Sequence, residues 1–254
     1  MLASEGHNVF SVIRNPDQKA DIEALGGKPV IRSIEDSSVD DMAETMHETQ
    51  ASVVVWAAGA GGGDPSRTRA VDNEGAIRCM DAASKASIKR YITISAIDVR
   101  DRENKPEPEW YDDADRDRSN RVWTVIKPYM EVSITTRRRL TLLRYLADAV
   151  FICVKAKYAA DRNLVTENGR RNLSYTILRP GGLSNDPGTG AISAGQVHLN
   201  RTISREDVAS AVLQCLKQDQ TIGLAIDCVG GETPIADAIA EVARGRVDAF
   251  EGRH

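Results

Sequence analysis

The sequence predicts an α/β fold built on a doubly wound parallel sheet. Short β-rich runs alternate with helical stretches of about 10 to 15 residues, the spacing of successive βαβ units. The runs "VVVW" and "YITI" carry no polar alternation, as expected of central strands covered by helices on both faces. A "RPGG" turn and capped helices punctuate the C-terminal part in the same rhythm.

Taken in order, "NVFSVI" reads as a strand followed by the helix "DQKADIEALGG", and "KPVIRSI" as a strand followed by "SVDDMAETMHETQ". "ASVVVWAAGAGGG" is a strand running into a small-residue loop, and "VDNEGAIRCMDAASKAS" is the next helix. "KRYITISAID" is a strand, after which the charged, proline-bearing "DRENKPEPEWYDDADRDRSNR" reads as a surface loop leading into a helix. Further on, "LSYTILRPGGL" is a strand closed by a Pro-Gly-Gly loop, and "SREDVASAVLQCLKQ" is a helix capped by Ser204. "TIGLAIDCVG" is a strand, and "TPIADAIAEVARG" is a final helix with Pro234 in its first turn. All 254 residues are expected to form one domain.

Composition narrows the partners. Hydrophobic residues make up 41% and charged residues 28%, with a net charge of −4, so no broad basic surface for nucleic acid or anionic membrane is expected. Small molecules are the expected partners, and nothing in the sequence specifies an oligomeric state. The four cysteines show no metal or disulfide spacing, and the four histidines are scattered without ligand spacing. No metal site is expected. No run reaches the roughly 18 apolar residues needed to span a bilayer, and the opening lacks a secretory pattern, so the expected address is the cytosol.

The segments "GHNVFSVIRNP", "VVWAAGAG", "AVDNEGAIRCMDAASKASIKRYITISAID", "YTILRPGGL" and "ISREDVA" occur in that order. Together they resemble the atypical, extended-like branch of the short-chain dehydrogenase/reductases, NAD(P)H-binding proteins with a Rossmann-like core. The resemblance implies a dinucleotide site along the carboxyl ends of the strands. Arg14 and Asn15 would meet the adenosine ribose, where the lack of an Asp or Glu leans toward NADP over NAD; an ordinary exposed arginine is the plain alternative. Ser33 and Ile34 would lie near the adenine. Ala57, Ala58, Gly59 and Ala60 would form a wall that lets the cofactor approach the backbone, while Gly61 to Gly63 read equally as a flexible loop. Arg179, Pro180, Gly181, Gly182 and Leu183 would form the loop past the nicotinamide.

For catalysis the resemblance implies Ser95 on the substrate oxygen, Tyr129 as proton donor, and Lys157 lowering the tyrosine pKa and holding the ribose. Asp72 stands where many extended members carry asparagine. A Tyr-x-x-x-Lys pair on one helix face needs four-residue spacing. Here deleting the 24 residues 131–154 or 132–155 brings Tyr129 to the fourth position before Lys157. This tract, with Arg137-Arg138-Arg139 ahead of a mostly apolar run, reads as a retained intron translated in frame, a structural insertion, or a basic amphipathic helix.

The family's first strand and Gly-rich turn have no counterpart ahead of "MLASEGHNV". The sheet is therefore expected to be incomplete at its N-terminal side, with unpaired strands, poor solubility and weak or absent NADP binding. The implied function is an NADP-dependent oxidoreductase or epimerase-like enzyme acting on a small carbonyl or hydroxyl substrate. The alternatives are a non-catalytic redox-sensing regulator and an inactive truncated product.

Overall fold

The computed structural model describes residues 2–61, 64–124 and 141–254. Its centre is a six-stranded sheet. β3 (Val53–Trp56), β4 (Arg90–Ile94), β5 (Ser174–Pro180) and β9 (Leu224–Gly230) run parallel, and β7 (Ala191–Gly195) and β10 (Thr233–Pro234) add an antiparallel margin, in the order β10-β7-β9-β5-β4-β3. The sheet is thus mostly rather than wholly parallel.

Successive residues of the central strands point to opposite faces, and both faces are buried. Tyr91, Ile177 and Ala225 join one core cluster, while their neighbours Ile92, Leu178 and Ile226 join the other. Each buried Ile or Leu contributes about 1.5–3 kcal/mol of transfer free energy. The first cluster is closed by α2 (Val39–Glu48), α4 (Ala76–Lys85) and α6 (Thr141–Thr166), after α1 (Lys19–Ala24), α3 (Pro65–Thr68) and α5 (Asp113–Thr124) in the numbering used here. Following α7 (Asn168–Arg171), the second is closed by α8 (Arg205–Lys217) and α9 (Ile235–Gly245).

Local chemistry sets the helix ends. Ser38 and Asp41 form a reciprocal capping box at α2, with Asp41 N donating to Ser38 Oγ at 3.1 Å and Ser38 N donating to Asp41 Oδ2 at 2.8 Å. Ser204 caps α8 as its sequence predicts, accepting from Asp207 N at 3.0 Å. Pro234 differs from expectation. It ends β10 and caps α9 instead of entering the first turn.

β1 (Phe10–Ile13) and β2 (Lys28–Ile31) form a separate parallel pair. Among the described residues β1 pairs with β2 alone and β3 with β4 alone, so the ladder is interrupted between β1 and β3. The pair is thinly covered, with Val12 43% and Ile31 53% exposed. A further short pair joins β6 (Gly182–Ser184) to β8 (Thr202–Ser204). Residues 141–154 of the unusual tract belong to α6, continuous with Lys157; residues 131–140 and Tyr129 lie outside the described residues. Among the described residues no helix is long and apolar enough to cross a membrane.

Candidate active site and cofactor edge

The carboxyl end of β4 gathers the polar groups. Ser95 follows the strand, its amide bonded to the Leu178 carbonyl at 2.8 Å, and its buried hydroxyl donates to Asp161 Oδ2 at 2.5 Å. Asp161 stands one turn after Lys157 on α6, so both side chains share a face. Lys157 Nζ donates to the Ile94 carbonyl at 3.2 Å and lies 3.4 Å from Asp72 Oδ1. Asp72 in turn accepts the amide of Ala60 at 3.0 Å. It is carried by a π-helical stretch, Arg69–Gly75, whose widened turn brings a buried carboxylate to the loop after β3.

Three of the four expected catalytic residues, Ser95, Lys157 and Asp72, therefore lie at one strand end. Tyr129 lies outside the described residues. Asp161 is the member that sequence reasoning missed, although its four-residue spacing from Lys157 was visible. Burial pushes its carboxyl up from the ordinary 3.8 to about 6, against the Ser95 hydrogen bond and the charges of Arg179 and Lys157.

The expected cofactor residues divide. Arg14 stands at the end of β1 and bonds Glu35 through Nη1 at 2.5 Å. Asn15 caps the turn Pro16–Gln18 by accepting from Asp17 N at 3.0 Å. The Ser33 carbonyl accepts the Ser37 hydroxyl at 2.6 Å, and Ile34 packs onto the first core cluster. In the loop after β3, Ala57 and Gly59 are exposed, Ala58 packs on the core and Ala60 is buried. Ala57 and Gly59 thus present small residues to solvent.

Arg179 and Pro180 require a correction, because they are buried strand residues of β5 and not part of a loop. The Arg179 guanidinium lies 3.2 Å from Asp227 Oδ1 and donates to the carbonyls of Val99 at 2.7 Å and Ala96 at 3.3 Å. It braces the segment after Ser95. Gly181 has no room for a side chain, since a Cβ would come within 2.9 Å of the Arg201 carbonyl. Gly182 and Leu183 are exposed, and Gly182 lines a cavity of about 200 Å³ with Ile97, Asp98, Ser119, Val154 and Leu199.

Among the histidines, His198 bonds Asp115 Oδ2 through Nδ1 at 2.5 Å, and Asp112 is also near. Asp115 accepts the amides of Leu199 at 2.7 Å and Asp112 at 3.2 Å as well, so this cluster ties segment 198–199 to the start of α5. The Asp115 hydrogen bond raises the His198 pKa.

A mostly parallel sheet covered on both faces, with its polar groups at the carboxyl ends, defines a Rossmann-type dinucleotide-binding protein. The NAD(P)H-binding family profile matches residues 1–219, and the chain belongs to that family, within the atypical short-chain dehydrogenase/reductases. It is 38% identical to UPF0659 protein C216.03 of Schizosaccharomyces pombe, over 94% of this chain and 87% of that one. It is 32% identical to the uncharacterized sugar epimerase YhfK of Bacillus subtilis, over 93% of this chain and 88% of the other. Among solved structures, the oxidoreductase ylbE of Lactococcus lactis shares the fold with a TM-score of 0.65 at 24% identity, covering 100% of this chain and 90% of its own.

Proposed function

We propose that this chain is an NADP-preferring oxidoreductase or epimerase-like enzyme acting on a small carbonyl or hydroxyl substrate. The observation that carries this reading is the convergence of Lys157, Asp72, Ser95 and Asp161 on one strand end. Two parts of this edge suit a phosphorylated dinucleotide. Arg14 supplies a cation at a strand end, and the small-residue loop after β3 leaves space for close approach. When bound, the nicotinamide supplies or accepts the hydride.

The remaining work falls to the chain itself. Ser95 orients the substrate oxygen once its hydroxyl proton turns away from Asp161, which otherwise holds it. Lys157, held between Asp72 and the Ile94 carbonyl, presents its charge toward that oxygen; Tyr129, the proton donor in this reading, lies outside the described residues. The name of the Bacillus subtilis relative supports including sugars among those tested.

A second reading, a dinucleotide-binding redox sensor without turnover, is favoured by one contact: the Ser95 hydroxyl is already committed to Asp161. NADPH oxidation followed by absorbance, against sugars, simple carbonyl compounds and a flavin, together with NMR of the sugars for epimerisation, in which the hydride is returned and no net oxidation appears, separates the two. Ser95→Ala and Lys157→Met are expected to lower kcat by about 10²–10⁴-fold while NADPH affinity changes less. NADPH binding without turnover on any substrate leaves the sensor reading standing. No NADPH binding at all overturns both.

A further inference from the structure

A second charged group lies away from the Ser95 cluster. Arg14 follows β1, Glu35 follows β2, and Arg67 stands on α3, after the loop that leaves β3. Glu35 Oε1 accepts from Arg14 Nη1 at 2.5 Å and from Arg67 Nε at 2.9 Å. Arg67 also donates through Nη1 to the Ala60 carbonyl, which ties it to the small-residue loop. Glu35 is itself held, because Arg78 Nη2 donates to the carbonyls of Ile34 at 3.0 Å and Glu35 at 3.4 Å.

Two guanidinium groups on one carboxylate leave a net positive charge at the carboxyl ends of parallel strands, where open α/β sheets bind their ligands. The three side chains remain reachable, at 56%, 32% and 27% exposure for Arg14, Arg67 and Glu35. The carboxylate has two opposite effects on an adenosine ribose. It can accept a bond from a free 2′-hydroxyl, and it repels a 2′-phosphate that must take the two arginines from it.

We propose that Glu35 sets the nucleotide preference of this edge: it holds Arg14 and Arg67 together, and its charge competes with a 2′-phosphate for them. The proposal rests on the dinucleotide reading above and adds Glu35 and Arg67 as its specificity-determining residues. Arg14 and Arg67 favour a 2′-phosphorylated nucleotide, and Glu35 moderates that preference.

The test is calorimetric titration of the full chain with 2′,5′-ADP, which carries the 2′-phosphate, and with AMP, which lacks it. Glu35→Gln keeps the side-chain size and an acceptor oxygen while removing the charge. It is expected to tighten 2′,5′-ADP on the order of tenfold and to leave AMP unchanged or weaker. Arg67→Ala is expected to weaken 2′,5′-ADP by a similar factor with little change for AMP. If the wild-type chain binds 2′,5′-ADP and Glu35→Gln weakens it or leaves it unchanged, the proposal is overturned while the dinucleotide reading survives. If the wild-type chain binds neither nucleotide and NADPH also fails to bind, the dinucleotide reading itself falls.

Discussion

Replacing Asp161 by asparagine isolates the energetic cost of the buried carboxylate beside Ser95. The amide keeps an acceptor for the Ser95 hydroxyl and removes the charge. Burial raises the Asp161 carboxyl from 3.8 to about 6, against the lowering pull of Ser95, Arg179 and Lys157. An acid raised on folding binds more protons in the folded than in the unfolded chain between those two values. Its contribution to stability therefore falls as pH rises from about 4 to about 6 and stays flat above. The displacement corresponds to roughly 3 kcal/mol as an upper bound. Asp161→Asn is thus expected to be more stable than the wild type at pH 8 by about 1–3 kcal/mol, and nearly equal at pH 4. In a chain of this size that is a melting-temperature gain of about 3–10 °C. Thermal unfolding followed by circular dichroism, both proteins at each pH, reads the difference directly. Comparison with the wild type cancels carboxylates such as Asp81 and Asp207, whose lowered pKa values give the opposite slope. Equal melting temperatures at pH 8, or a gap as large at pH 4 as at pH 8, would refute the reasoning.

Two further outcomes follow from packing and charge. Gly231→Ala would set a Cβ 2.3 Å from Ser193 N and 2.4 Å from Ile192 C, both backbone atoms of β7 that cannot turn aside. A loss of about 3 kcal/mol or more is expected, read as a lower urea midpoint, and an unchanged midpoint would contradict the packing. His198 should titrate by NMR above its ordinary 6.5 and return toward it in Asp115→Asn. The attraction is complete below the ordinary value and lost as pH rises through the folded one; at this exposure it is worth less than about 1 kcal/mol.

Most of the sheet was legible because runs such as "VVVW" and "YITI" carry no polar alternation, and Tyr91, Ile92 and Thr93 are indeed buried on both faces. β7 was not, since "AISAG" lacks the β-branched or aromatic run that marks a strand and earns its place by pairing with β9. Ser95, Lys157 and Asp72 were legible through motif order. Asp161 was readable as the fourth residue after Lys157, but carried no motif of its own. Arg179 misled because an arginine before Pro-Gly-Gly looks exposed. Its neighbour in the parallel register is Asp227, an acid inside an apolar strand, and that unexplained acid was the available signal. Glu35 offered none, because its partners lie 21 and 32 residues away.

The separation of β1 and β2 from the main sheet has a thermodynamic consequence. Among the described residues no ladder bond joins the two sheets, and the contacts that reach across from the β2 end include the side-chain ties of Arg67 to Glu35 and of Arg78 to the Ile34 carbonyl. Amides of β1 and β2 should then exchange with solvent through a low-energy local opening that leaves the central strands protected. A nucleotide held at one end by Arg14 and at the other by the strand ends near Ser95 would bridge the two units. Its occupancy and the cooperativity of unfolding would then be linked, each measurable through the other.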